Sequence, residues 1–182
     1  MVNSVLRKPL PLASLNHISL VCKSVEESIN FYENVLGFVP IKRPGSFGFD
    51  GAWLFNYGVG IHLLQCDSTD SLPKKSEIDP MDNHISFQCE SMEAVEWILE
   101  DMKIKYVKRR VEEGGLYVDQ IFMHDPDGFM IEMCNCENLP VVPLGSSVCM
   151  RVPSAIKQSN SEQSLLKLSS NTGHHEGFPI CG

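Results

Sequence analysis

No stretch of this chain approaches the roughly 18 consecutive apolar residues of a membrane span, and no apolar signal-peptide core stands near its start. Its charge excess is not basic either. Fifteen Lys and Arg against 23 Asp and Glu leave a net charge of −8, the wrong sign for the electrostatic footprint of a nucleic-acid binder. The seven cysteines are odd in number and follow no regular spacing, which excludes a disulfide framework and predicts free thiols in a reducing compartment, the cytoplasm. The opening MVNSVLRKPLPLAS carries two basic residues and no acid. It is short for an organelle transit peptide, and residues 1–13 read as a loose N-terminal arm.

What is present is a globular composition. With 182 residues and 43% hydrophobic content, the chain can build one domain with a proper core. That domain is expected over residues 14–144. From Gly145 to Gly182 serine, glycine and proline accumulate, and only SLLKL offers an apolar cluster. Such a tail buries too little apolar area to offset its conformational entropy, so it is expected to be disordered. One short helix over Glu162 to Leu168 is the exception, and His174-His175 reads as a merely polar pair.

The word NHIS occurs twice, at Asn16–Ser19 and Asn83–Ser86, 67 positions apart. Neighbouring features recur with it. Leu15–Cys22 lies over Asp82–Cys89, and Ser24-Val-Glu-Glu27 lies over Ser91-Met-Glu-Ala94. Ile61-His62-Leu63 lies over Ile131-Glu132-Met133, and Cys66 over Cys136, at an offset of 70. Self-similarity of this kind marks a duplicated structural unit, here with modules at 14–66 and 81–137. Each copy reads as a strand, a helix capped by serine (Ser24, Ser91), and three strands. Val25, Ile29, Tyr32 and Leu36 share one helical face before Gly37, as do Met92, Val95, Leu99 and Met102. The later strands are predicted at 38–41, 52–57 and 59–66, then at 104–108, 116–124 and 129–135. Asp125-Pro-Asp-Gly128 supplies the last hairpin turn, with His124 a loop residue beside it. The fold class is α+β, two tandem βαβββ modules.

Strand alternation places His17 with Ser19 and Val21, His84 with Ser86 and Gln88, His62 with Leu64 and Cys66, and Glu132 with Cys134 and Cys136. One metal-competent side chain thus occupies the first and last strand of each module. Three imidazoles and one carboxylate, brought to one centre by a two-fold pairing of modules, suit a divalent metal. Cys134 and Cys136 share the face of Glu132 and read as small lining residues rather than soft ligands.

The duplicated unit, SINFYENVLGF at 28–38 and FMHDPDGFMIEM at 122–133 resemble the vicinal oxygen chelate superfamily, and within it the plant glyoxalase I-like proteins. The resemblance covers roughly 15–144. It implies a curved mixed sheet around a metal cleft and metal ligands at His17, His84 and Glu132, with His62 at the fourth position. It also implies zinc, nickel or manganese as the metal. The activity implied is isomerisation of the glutathione thiohemiacetal of methylglyoxal, with Glu132 as the base.

Two departures stand out. The family carries a glutamate where this chain has His62, so activity is expected to be weak. Val21 and Cys66 occupy places where the family holds glutathione with polar side chains, although Lys108, Arg109 and Arg110 could answer a third, basic position. Substrate-binding residues are otherwise left open. Two alternatives remain at this point: a non-haem iron dioxygenase of the same fold, or a binding protein without chemistry. The partner expected is a small molecule, with no nucleic acid and no membrane span, and modules can pair within one chain or across a homodimer.

Overall fold

The computed structural model describes residues 10–68, 72, 77–142 and 144. Most of the expected arm and the whole tail from Gly145 lie outside the described residues. The first module runs β1 (His17–Cys22), α1 (Val25–Asn34), β2 (Val39–Ile41), β3 (Gly51–Asn56) and β4 (Val59–Gln65). The second runs β5 (His84–Gln88), α2 (Met92–Asp101), β6 (Tyr106–Glu113), β7 (Leu116–His124) and β8 (Met130–Cys134), then a 3-10 turn at Cys136–Asn138. Each module makes a four-stranded sheet, ordered β1-β4-β3-β2 and β5-β8-β7-β6. In both, the first strand pairs parallel with the last and the remaining pairs are antiparallel.

The duplication holds down to backbone angles. Ser24 caps α1 at φ −139°, ψ 114°, and Ser91 caps α2 at φ −145°, ψ 116°. Each hydroxyl accepts the N–H three residues on, from Glu27 and Ala94, at 3.2 Å. That bond satisfies one of the orphan donors of the first turn. Register repeats as well: Ser19 stands opposite His62, and Ser86 stands opposite Glu132.

Three expectations need correction. β6 does not stop at 108 but continues to Glu113 and pairs along its whole length with β7. Its run KRRVEE lacks an apolar face because β6 is an edge strand and needs none. The hairpin that follows turns on Gly114 and Gly115, at φ +58° and +84°, the geometry of a two-residue turn that side chains resist. His124 is the last residue of β7 and not a loop residue. Finally, Cys134 and Cys136 are joined in a disulfide, whereas Cys22, Cys66 and Cys89 are free. The expectation of free thiols rested on the odd count and irregular spacing of the cysteines, neither of which bears on a local pair. A strand end followed by a tight turn brings these two Cα atoms within 5.4 Å, inside the usual bridging range.

One hydrophobic cluster serves both modules. Leu20, Cys22, Tyr32, Phe38, Leu54, Ile61 and Leu63 of the first join Met92, Leu99, Ile121, Met123, Ile131 and Met133 of the second. Alternation therefore commits Leu20, Cys22, Ile61, Leu63, Ile131 and Met133 to this core, and their strand neighbours His17, His62, His84 and Glu132 to the opposite sheet faces. A polar clamp fastens the modules. The β7–β8 turn reaches α1, where Tyr32 donates its hydroxyl to Asp125 Oδ2 at 3.0 Å and Ser28 donates to Asp127 Oδ2 at 3.0 Å. The Lys23 N–H donates to Asp127 Oδ1 at 2.8 Å. Asp125 Oδ1 accepts from the N–H groups of Asp127 and Phe129 at 2.9 and 2.8 Å. Burial pushes the Asp125 carboxyl above the ordinary carboxylate range despite these donors, and burial raises the Tyr32 hydroxyl far above its ordinary value. Ser28 and the two aspartates are the part of this clamp that the helical-face reading missed.

Candidate metal centre

The four expected ligands form two pairs. On the first sheet the rings of His17 and His62 stack at 3.9 Å between centroids, and His62 stacks on its other side against Trp53 at 4.2 Å, planes 3° apart. Trp53 is the cross-strand partner of His62. Partial burial and the neighbouring His17 hold the His62 imidazole below its ordinary value, burial weighing more. On the second sheet His84 Nε2 lies 3.2 Å from Glu132 Oε2. Glu132 is 4% exposed, and its other oxygen, Oε1, accepts from Gln120 Nε2 at 2.5 Å. Gln120 was not foreseen. The signal available was a lone amide inside the largely apolar strand β7, on the face that alternation shares with Phe122.

The chemistry of the second pair is restrictive. His84 Nδ1 sits 2.7 Å from the carbonyl oxygen of Asp82, which can only accept, so Nδ1 carries a hydrogen. Nε2 is then left facing a carboxylate oxygen. In neutral imidazole that places two acceptors against each other, and the contact is favourable only if a proton or a cation joins them. A histidine whose second ring nitrogen donates to a backbone carbonyl has the orientation typical of a metal ligand. His17 repeats the arrangement, with Nδ1 2.7 Å from Asn16 Oδ1. His84 and Glu132 therefore fit a divalent ion, and His17 fits through its remaining nitrogen. His62 is covered on both ring faces and presents only its edge.

The pairs are not gathered into a single cluster. Among the described residues, the one group of three metal-capable side chains with ligand atoms within 4.8 Å of one another is Glu132, Cys134 and Cys136. A cavity of about 560 Å³ beside His17 and His62 is lined by Ile41, Phe47, Phe49, Trp53 and Phe55 among others, and every lining residue lies between 16 and 64. Much of this sheet face is open. Val21, Val39, Ile41 and Phe55 are each more than two-fifths exposed. The basic run is largely committed elsewhere: Lys108 pairs with Glu96, and Arg110 binds Asp119 through Nε and Nη2 at 2.6 and 2.7 Å.

Paired βαβββ modules with a metal-capable side chain on the first and last strand of each define a class of folds, and the chain belongs to the Glyoxalase/Bleomycin resistance protein/Dioxygenase superfamily, whose sequence pattern matches residues 14–133. Within it the chain is 63% identical over 147 residues to the Arabidopsis thaliana protein "Glyoxylase I 4", covering 79% of this chain and 84% of that one. Among solved structures it resembles the fosfomycin resistance protein FosX of Listeria monocytogenes at TM-score 0.56 and 21% identity, covering 70% of this chain and 96% of that one. A glyoxalase/dioxygenase from Nostoc punctiforme gives TM-score 0.55 at 23% identity, covering 74% and 97%. These two share the fold. No helix among the described residues is long and apolar enough to cross a membrane.

Proposed function

We propose that the chain is a metal-dependent glyoxalase I-type isomerase that converts the glutathione thiohemiacetal of methylglyoxal, or of a related 2-oxoaldehyde, in the cytoplasm. The observation that carries this reading is His84 Nε2 facing Glu132 Oε2, an arrangement that needs a cation or a proton between the two groups. The likeness to a protein named "Glyoxylase I 4" supports the choice among the activities of the superfamily.

His17, His84 and Glu132 would hold the ion, with the exposed edge of His62 as a fourth donor. A bound divalent ion would supply Lewis-acid polarisation of the two vicinal substrate oxygens. Glu132 removes the proton from the carbon next to sulfur and returns it to the neighbouring carbon. Gln120 restrains Oε1, so the proton moves on Oε2, which would have to loosen from the ion to accept it. The aromatic wall of Phe47, Phe49, Trp53 and Phe55 takes the apolar part of the adduct and excludes water.

The two halves of the centre sit on different sheets, and the cavity takes its lining from the first module alone. A second copy of the chain, offering its His84–Glu132 face to this open apolar face, would complete the centre. The activity test is conversion of methylglyoxal with glutathione by metal-depleted protein reloaded with zinc, nickel, manganese or iron. We expect thioester product with at least one of the first three and none without metal. Stoichiometric metal without turnover would overturn the isomerase assignment.

A further inference from the structure

The disulfide between Cys134 and Cys136 lies beside the one carboxylate the isomerase reading needs. Glu132 and Cys134 share one face of β8, and Cys136 opens the 3-10 turn that follows. The frame around both sulfurs is fixed by hydrogen bonds on each side. Cys89 N–H donates to the Cys134 carbonyl at 2.9 Å, Asn135 Oδ1 accepts from the Asp119 N–H at 2.8 Å, and the Glu137 N–H donates to Gln88 Oε1 at 3.0 Å. Cys134 is buried, whereas Cys136 is partly exposed. Solvent-borne reagents therefore meet Cys136 first.

We propose that Cys134 and Cys136 form a redox-gated binding site for a soft divalent cation, with Glu132 as its third ligand. In the disulfide the sulfurs are bonded to each other and offer no thiolate. Reduction by a low-molecular-weight thiol opens the site. One thiol attacks Sγ of Cys136, the bond between the two sulfurs breaks, and Cys134 leaves as a thiolate that takes up the attacking thiol's proton. A second thiol attacks the mixed disulfide and releases Cys136 as a thiol. The sum is one protein disulfide and two thiols giving a protein dithiol and one small-molecule disulfide. Two sulfurs and a carboxylate oxygen, within 4.8 Å of one another even in the oxidised chain, then match a three-ligand zinc set with a fourth position open. Two thiol protons pass to solvent when the ion binds. Cys134 ends β8 and Cys136 opens the 3-10 turn, with the hydrogen bonds above on both sides, so capture needs only side-chain rotation.

This inference does not depend on the isomerase reading, because it concerns ligands and redox state alone. Glu132 would then bridge the two places, serving His84 and the sulfurs together, so the reduced chain holds one ion more than the oxidised chain.

The test uses the full chain in its oxidised and thiol-reduced forms, with excess reductant removed. Counting thiols after denaturation should show two more in the reduced form, and no such gain in the Cys134→Ser/Cys136→Ser double variant. Equilibrium dialysis with zinc should show one additional ion per chain in the reduced form. Cobalt substituted for zinc should give sulfur-to-metal charge-transfer absorption in the reduced wild type and none in the oxidised form. Equal zinc content in the two forms of the wild type would overturn the proposal, and that comparison requires no variant to fold. So would an extra ion that persists in the double variant, since its ligands would then lie elsewhere.

Discussion

Tyr32 and Asp125 meet 93 positions apart in the chain, hydroxyl to carboxylate at 3.0 Å, with both residues buried. Replacing Tyr32 with Phe keeps the ring contacts with Phe31 and Phe38 and removes only the donor. Asp125 Oδ2 is then left buried without this partner. We expect a loss of about 1–3 kcal/mol in unfolding free energy, read from urea denaturation, with little change in m-value.

The same carboxyl sets a pH dependence. Its folded-state pKa lies above the unfolded value, so Asp125 favours the folded chain when protonated. That contribution is complete below the unfolded carboxylate pKa and is lost as pH rises through the folded one. The stability of wild type relative to Asp125→Asn should therefore decline as pH rises above about 4 and level off once Asp125 is ionised. Denaturation curves at several pH values for both proteins give this difference, and a relative stability that rises over that interval would reverse the assigned sign.

Gln120→Leu tests the restraint on Glu132. The substitution retains much of the side chain's volume and deletes the donor 2.5 Å from Oε1. Loss of such a supporting hydrogen bond costs about 10- to 100-fold in metal affinity or turnover. Competition with a chromophoric chelator separates the two effects. Thermal unfolding of the metal-free variant should change far less than that of the loaded protein.

For His62 the expected outcome follows register. His62 faces Ser19 as Glu132 faces Ser86, so His62→Glu would give both modules a carboxylate at the same place. Isomerase turnover should rise in His62→Glu and vanish in Glu132→Gln. Unchanged or lower turnover with normal metal content would show that a missing second base is not what limits the reaction.

Gly51 provides a purely steric check. A methyl group added there would meet the Leu63 carbonyl oxygen at 2.3 Å, whereas one added at Gly60 would meet the His17 Cβ at 3.1 Å. The first collision is with backbone across the β3–β4 ladder. Gly51→Ala should lose about 1–3 kcal/mol or fail to accumulate, and Gly60→Ala should be milder in stability while disturbing the His17–His62 stack. Melting temperatures rank the two.

Much of the fold was legible because duplication states each element twice. The serine caps, the strand carrying each histidine and the equivalence of His62 with Glu132 all follow from offsets of 67 and 70 in the sequence. The illegible parts had other causes. β6 extends through KRRVEE because an edge strand is held by backbone pairing, which leaves no hydrophobic alternation to read. Ser28 is buried because Asp127 arrives from 99 positions away, a contact that helical periodicity cannot register. Gln120 and Trp53 become site residues only once strand register is known. The Cys134–Cys136 bridge depends on the turn after β8, and a spacing of two residues does not announce it.

The order of strands also decides where another chain can attach by backbone pairing. Each sheet has two edges. β2 ends the first sheet with Pro40, which has no N–H to offer, and β6 ends the second with Lys108, Arg109 and Arg110, whose charges resist strand addition. The opposite edges, β1 and β5, carry HISLVC and HISFQ and have neither proline nor lysine nor arginine. The guarded edges lie at the far end of each sheet from the strands of His17 and His84, and the unguarded edges begin with those two residues. Any sheet that grows beyond four strands by adding a neighbour is thereby directed to the strands of His17 and His84.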